Sequence, residues 1–193
     1  MNDYEIINID RFYNNKGLAN DLDYINASLS LVGSSLPKDE IPLNKLFYIN
    51  NYPYLISEND LGDNIVLEGQ ELNLQKNYYA SAISFIGCSV YGDYYDYIHL
   101  YDNETLVKSI KIALTDCNSV SAQFGNEQVF KLPYFYNKNS EGRKYNSTPI
   151  IWSHTINFNE TIKFNKMIVE DNPCIHIFSI TVRNEGKNEW IIL

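Results

Sequence analysis

Four tyrosines and two aspartates lie within the seven residues Tyr91-Gly92-Asp93-Tyr94-Tyr95-Asp96-Tyr97. Tyrosine rings stack on the apolar face of a sugar, and carboxylates accept hydrogen bonds from hydroxyl groups. The segment therefore predicts a binding site for a carbohydrate or another small neutral ligand, with Tyr91, Asp93, Tyr94 and Tyr95 as contacts. The alternative is a hairpin whose rings only cover the end of a sheet, since aromatic clusters commonly serve packing.

A second group of candidate ligand contacts follows later in the chain. The stretch 137–149 reads as a long loop without apolar anchors, and it is flanked by Tyr136 and contains Arg143. Long loops often line clefts, although a plain surface loop has the same composition. Trp152 is the third aromatic candidate, and its place in an apolar strand pattern favours core packing over stacking on a ligand.

Signatures of catalysis are missing from the sequence. Each of His99, His154 and His176 falls in a strand pattern, where a single histidine is usually structural. There is no Gly-x-Ser-x-Gly elbow and no glycine-rich phosphate loop. Glycoside hydrolysis needs two carboxylates facing one cleft, and no pair is singled out by spacing. The sequence therefore predicts a protein without catalytic activity.

The charge balance excludes a nucleic-acid partner. The chain has 24 acidic and 15 basic residues, a formal net charge of −9 and a pI of ≈ 4.7. Binding to a phosphate backbone needs clustered lysine and arginine, and the longest basic run is Arg143-Lys144. An acidic surface suits a neutral ligand, a cation or a basic partner.

Cysteine usage and hydropathy predict a cytoplasmic protein. Cys88, Cys117 and Cys174 show neither CxxC spacing nor an even count, which argues against a disulfide framework and a zinc site. All three lie beside apolar residues, so we expect buried thiols. The start of the chain lacks the features of a signal peptide. No apolar run approaches the roughly 18–20 residues that span a bilayer, so no membrane partner is expected.

Short strands separated by turns recur along the whole chain. Ile65–Glu68 and the alternating leucines Leu72 and Leu74 are joined by a Gly69-Gln70 corner. Residues 97–114 predict an antiparallel hairpin with its turn at 102–104. Residues 175–182 are apolar on both alternating faces, which is typical of a central strand. We predict an all-β, single-domain antiparallel β-sandwich, a jelly roll, over residues 1–193, closing with an edge strand at 190–193.

Several of these segments resemble the galactose-binding-like jelly-roll modules of bacterial carbohydrate-active enzymes. The likeness runs from about Ile9 to Val182, and its motifs report turns and core positions. Cys117 stands where a tryptophan commonly follows in that family. The resemblance is carried by Phe12-Tyr13-Asn14-Asn15-Lys16-Gly17, Ser35-Leu36-Pro37, Gly62-Asp63-Asn64-Ile65-Val66 with Gly69-Gln70, Phe85-Ile86-Gly87, and Asp171 to Thr181.

The resemblance implies a noncatalytic module that binds carbohydrate through loops at one end of the sandwich. It also implies a structural Ca²⁺, for which the oxygen ligands would come from Asp21, Asp23, Asp60, Asp63 and Asn64. The chief alternative is a structural or protein-interaction module, as a homo-oligomer or docked to a partner, because tyrosine is enriched at interfaces. A third and weaker alternative is a small glycoside-processing enzyme.

Overall fold

The structure is a computed structural model that describes residues 3–139 and 142–184. No α-helix is present in these ranges, and helical turns are confined to 3-10 segments at Asp10–Phe12, Tyr24–Asn26 and Lys38–Glu40. The strands are β1 (Tyr4–Ile7), β2 (Leu18–Ala19), β3 (Ser34–Pro37), β4 (Phe47–Ile49), β5 (Tyr52–Tyr54), β6 (Ile65–Glu68), β7 (Glu71–Ser89), β8 (Tyr94–Asp102), β9 (Thr105–Leu114), β10 (Glu127–Lys131), β11 (Phe135–Asn137), β12 (Gly142–Lys144), β13 (Ile150–Val169) and β14 (Asp171–Arg183).

The largest sheet has eight strands, and its pairs are all antiparallel. Its main path is β1-β14-β7-β13-β8-β9, with β10 added to β13 and β6 added to β14. A second sheet has the order β12-β11-β3-β2, and β4 pairs with β5. The all-β class predicted from the sequence is therefore confirmed. Among the described residues, no helix is long and apolar enough to cross a membrane.

The Gly69-Gln70 corner has the predicted form. Gly69 adopts a φ of 73°, which a residue without a Cβ accepts easily. The Gln70 side chain donates to the Val66 carbonyl at 2.7 Å and accepts from the Glu68 amide at 2.7 Å. These two hydrogen bonds hold the corner at which β6 ends and β7 begins. Both strands then pair with β14.

The predicted hairpin and central strand are also present. β8 and β9 pair from Tyr94 opposite Leu114 to Asp102 opposite Thr105. β14 lies between β1 and β7, and its residues 175–182 are all buried. A register shift between Ile177 and Ser179 accompanies the change of face along the strand.

Two hydrophobic clusters form most of the core, and β14 contributes to both. Ile177 and Ile180 belong to one cluster, whereas Phe178 packs in the other with Ile86 and Trp152. Burying one such side chain stabilises the fold by about 1.5–3 kcal/mol. The apolar residues on both faces of β14 thus explain its central position.

Two predictions from the sequence are wrong, and a third concerns residues outside the described ranges. The stretch 137–149 is not a plain loop, because Gly142–Lys144 pairs with β11 as β12. Cys174 is only partly buried, while Cys88 and Cys117 are buried as expected. All three thiols are free. The edge strand predicted at 190–193 lies outside the described residues.

Candidate functional site

A cleft of ≈ 420 Å³ lies beside the turn that follows β7. Its walls combine apolar side chains with hydrogen-bonding groups, and an exposed aromatic ring stands at its side. We call it the Tyr91 cleft. The residues that bring polar atoms to it are Asn15, Ser28, Glu68, Tyr91, Lys138 and His176.

A strained turn places Tyr91 at the cleft. Tyr91 has a φ of 68°, in the left-handed region that tyrosine rarely adopts. The Ser89 hydroxyl closes the turn by donating to the Gly92 carbonyl at 2.6 Å. The Tyr91 hydroxyl accepts from the Val32 amide at 3.3 Å, and 52% of the residue stays exposed. The ring therefore connects the β7–β8 turn to the loop before β3.

The loop before β3 forms the opposite wall of the cleft. The Gly33 amide donates to the Ser30 carbonyl at 2.8 Å, and the Leu29 amide donates to the Ser34 carbonyl at 2.6 Å. The Lys138 amide donates to the Gly33 carbonyl at 3.0 Å, which brings the lysine to the same wall. The Ser28 hydroxyl also accepts from the Ser30 amide at 3.3 Å, and the Ser30 hydroxyl accepts from the Ser34 amide at 3.2 Å. Backbone and serine side chains together therefore hold the loop.

A buried chain of polar side chains runs from His176 of β14 toward the start of the molecule. His176 Nδ1 lies 3.0 Å from Asn64 Oδ1. Asn64 Nδ2 donates to Asp63 Oδ1 at 2.7 Å, and the two Asp63 oxygens accept from the Gly17 and Leu18 amides at 2.9 Å each. This network joins segments that are more than 100 residues apart along the chain.

The network determines which nitrogen of His176 carries the hydrogen. Asn64 Nδ2 faces the Asp63 carboxylate and the Asn15 carbonyl, so its Oδ1 must face the histidine. His176 Nδ1 therefore donates to Asn64 Oδ1. Nε2 has a lone pair and, among the described residues, no hydrogen-bond partner. A buried acceptor without a partner is costly, and this one belongs to a residue of the cleft wall.

Burial keeps His176 neutral. Desolvation lowers the pKa of His176 to about 4, and the nearby Leu29 carbonyl opposes this shift only in part. Burial also raises the pKa of Asp63 to about 6, against the hydrogen bonds from Asn64, Gly17 and Leu18. At neutral pH the buried imidazole behind the cleft wall is therefore uncharged.

Of the four contacts predicted in the first tyrosine-rich loop, Tyr91 alone is a wall residue of the cleft. Asp93 Oδ1 accepts from the Asp116 amide at 2.8 Å, which ties down the loop. Tyr94 packs against the larger hydrophobic cluster, whereas 51% of Tyr95 is exposed. Successive residues of a strand point to opposite faces, so β8 separates these rings.

The second predicted group forms a closed cluster. Tyr136 is fully buried, and its hydroxyl donates to Asp21 Oδ1 at 3.0 Å. Arg143 Nε donates to the same oxygen at 2.9 Å, and the guanidinium lowers the pKa of Asp21. The Tyr24 ring stacks on Tyr136 at 5.4 Å between centroids. Tyr136 and Arg143 thus both bond to Asp21, and Tyr136 has no exposed ring for a ligand.

Trp152 is a core residue. It is only 2% exposed, and its Nε1 donates to the Asp116 carbonyl at 3.2 Å. Because the residue is buried, the faces of its ring are not available to stack on a ligand. Trp152 therefore packs in the core, which is the alternative that its strand pattern favoured.

The candidate calcium ligands do not converge. Asp23 pairs with Lys16 and Lys38 at 3.0 Å each, and Asp60 is exposed in a turn. Asp63 and Asn64 belong to the His176 network, and Asp21 pairs with Arg143. In the described ranges, no three or more His, Cys, Asp or Glu side chains are grouped to hold a metal ion.

Sequence reasoning did not find the role of His176. The histidine stands between Ile175 and Ile177 in a strand that is apolar on both faces. A histidine at such a position is expected to be buried and to have a hydrogen-bond partner. This expectation is the sequence signal that could have identified it. From the sequence, its partner Asn64 is assigned to a calcium site and to the motif at 62–66, and nothing links it to His176.

Comparison with protein-family models finds no match, and comparison with curated protein sequences finds none either. The resemblance to the galactose-binding-like modules therefore stays a prediction.

Proposed function

We propose that this protein is a noncatalytic carbohydrate-binding module of the galactose-binding-like jelly-roll type, with its ligand in the Tyr91 cleft. The observation that carries the proposal is a cleft whose wall has both an exposed tyrosine ring, Tyr91, and an exposed acceptor, Glu68. A sugar offers both matching features, a hydroxyl that donates and an apolar ring face.

The polar atoms of the cleft suit an uncharged polyol. Glu68 accepts hydrogen bonds from hydroxyl groups, and Lys138 donates to them. The carboxylate and the ammonium group have opposite charges, so the cleft as a whole favours neither an anion nor a cation.

The sandwich architecture is part of the same proposal. The long strand β7 has Ile83 and Phe85 in one hydrophobic cluster and Ile86 and Cys88 in the other. Apolar side chains on both faces of one strand support two layers that enclose a core. The cleft then lies among the connecting segments, where β-sandwich modules commonly bind ligands.

A binding role is favoured over hydrolysis at this site. Glu68 is the one carboxylate in the cleft wall within the part of the chain that the structure describes. Glycoside hydrolysis by general acid and base uses two carboxylates around the scissile bond.

Replacement of Tyr91 tests the proposal. We expect Tyr91→Ala to weaken sugar binding by about tenfold, because the stacking surface is lost. A glycan array identifies the ligand, and isothermal titration calorimetry measures its affinity. Tyr95→Ala is the matched control, since Tyr95 is equally exposed, at 51% against 52%, but is not a cleft residue.

The proposal is wrong if no glycan binds at millimolar concentration. It also fails if Tyr91→Ala and Tyr95→Ala weaken binding equally, because the ligand would then lie elsewhere.

A protein-interaction role is the second candidate, and the edge strand β9 favours it. β9 ends the main path of the eight-stranded sheet. Leu106 and Val107 of this strand, with Tyr95 and Tyr97 of β8, are exposed. An open edge beside apolar side chains is a common docking surface for another chain.

A further inference from the structure

A smaller cavity of ≈ 100 Å³ lies beside the Tyr91 cleft. Leu29, Ser30, Val90 and Tyr91 belong to the walls of both. We call the smaller space the Cys117 cavity, because Cys117 lines it and is not a residue of the cleft wall. An apolar cavity of about 150 Å³ can hold a benzene ring, so the Cys117 cavity accepts an apolar group of roughly four carbon atoms.

The wall of the Cys117 cavity is mainly apolar. Leu29, Leu36, Val90 and Cys117 all belong to the same hydrophobic cluster, and Phe135 adds a ring to the wall. The cavity is therefore a gap at the margin of the core, where an apolar group of a ligand would be removed from water by side chains on several sides.

Polar side chains of the same wall offer little to a polar group. Ser35 and Leu36 are neighbours on β3, so the Ser35 hydroxyl points to the face of the strand away from Leu36. The Asn118 side chain donates to Cys117 Sγ at 3.5 Å and accepts from the Ser147 hydroxyl at 2.7 Å. A polar or charged group would lose its hydration here with few hydrogen bonds in return, so the cavity favours an apolar group.

The Cys117 cavity is open to the surface beside Tyr91. Tyr91 and Val32 both line it, and they are 52% and 54% exposed. The Val32 amide donates to the Tyr91 hydroxyl at 3.3 Å, which holds the two residues together at this side. A ligand that stacks on Tyr91 in the cleft can therefore extend a substituent into the cavity.

We propose that the ligand is a glycoside with a short apolar aglycone, and that the aglycone enters the Cys117 cavity. The inference rests on the proposed function, since the sugar ring lies in the Tyr91 cleft. A butyl-sized group matches the volume of the cavity. A methyl group fills only a small part of this volume, and a longer chain must leave the cavity.

Alkyl glycosides of increasing length test the inference. Isothermal titration calorimetry compares the methyl, ethyl, propyl, butyl and hexyl glycosides of galactose and of glucose. We expect the affinity to rise about threefold for each carbon added from methyl to butyl, because each buried CH₂ group is removed from water. From butyl to hexyl the affinity should change little, because the added carbons find no further apolar wall.

Two variants change the volume of the cavity in opposite directions. Cys117→Leu fills part of it and should reduce the butyl-to-methyl affinity ratio by about tenfold. Leu36→Ala enlarges it, and the affinity should then still rise from butyl to hexyl. Leu106→Ala is the control, because this leucine is exposed on β9 and lies outside both walls. Since the ratio is measured within one protein, a general loss of sugar binding or of folded protein cancels.

Each outcome separates the inference from the proposed function. Equal affinity for methyl and butyl glycosides, an unbroken rise to hexyl in the wild type, or a ratio that Cys117→Leu leaves unchanged overturns the aglycone inference and leaves carbohydrate binding in place. If no glycoside and no glycan of an array binds, both proposals are overturned. If circular dichroism shows that Cys117→Leu does not fold, the wild-type series and Leu36→Ala decide.

Discussion

Two buried side-chain atoms stand out in the described part of the chain. His176 Nε2 and Ser35 Oγ are the ones found there without a hydrogen-bond partner. His176 is a residue of the Tyr91 cleft wall, and Ser35 is a residue of the wall of a smaller cavity of ≈ 100 Å³ beside it. Buried polar side chains are nearly always bonded, so these two atoms are exceptions to the usual pattern.

The pH dependence of folding stability reports the state of His176. Its folded pKa of about 4 lies below the unfolded value of about 6.5, so its contribution is fully present above pH 6.5 and is lost as pH falls toward 4. Asp63, raised to about 6, acts in the opposite direction over nearly the same window. We therefore expect the stability advantage of wild type over His176→Gln to grow by up to about 3 kcal/mol from pH 4 to 6.5.

Urea unfolding of both proteins at several pH values measures this difference, and other titrating groups cancel in the comparison. His99→Gln is the control, because this histidine is less buried and bonds to Ser109 and Glu170 near the surface. If the stability advantage of wild type over His176→Gln stays constant with pH, burial does not shift the pKa of the imidazole.

At the scale of the elements, the contact between β7 and β14 positions the site. Gly87 of β7 lies opposite Ile177 on one side and Trp152 on the other. A Cβ at this position would lie 2.2 Å from the His176 carbonyl oxygen and 2.8 Å from Leu114 Cδ1. The His176 backbone of β14 therefore lies directly against β7, and β14 cannot shift relative to β7 without a clash.

Gly87→Ala is expected to destabilise the protein by about 3 kcal/mol, since backbone atoms on a central strand must move to admit the methyl group. Thermal or urea unfolding measures the loss. Gly125→Ala is the comparison, because a Cβ there meets nothing within 4 Å and only the positive φ of 71° costs about 1–2 kcal/mol. Equal losses in the two variants would contradict the role assigned to close packing at Gly87.

At the scale of the whole molecule, the net negative charge affects how copies of the chain interact. The formal net charge is −9, and many basic side chains of the described residues already make ion pairs. These paired basic residues are Lys16, Lys38, Lys76, Arg143, Lys163 and Lys166. The remaining excess of acidic residues gives the chain its net negative charge, and like charges repel between copies of the chain.

We expect the protein to be a monomer at micromolar concentration in buffer of low ionic strength, because this repulsion opposes pairing through the open edge of β9. Multi-angle light scattering over a concentration series measures the mass. A stable dimer that Val107→Lys on β9 dissociates would contradict the expectation and favour the interaction role. Val120→Lys, at an exposed position outside β9, adds the same charge and is the control.

The amino-acid sequence by itself determined the local features of this protein. The all-β class, the β8–β9 hairpin, the Gly69-Gln70 corner and the central position of β14 follow from alternation and turn residues. These patterns depend on neighbours only a few positions apart, and so they can be read along the chain.

The tertiary structure alone decided which predicted residues meet a cleft. It buried Tyr136 against Asp21, 115 residues away, and brought His176 to Asn64, 112 residues away. It also brought Ser35 and Tyr91 to neighbouring cavities. Such contacts depend on how distant strands pair, and neither composition nor spacing records that pairing. The sequence therefore predicted a tyrosine-rich binding loop, and of its four predicted contacts the fold places Tyr91 in the wall of the cleft.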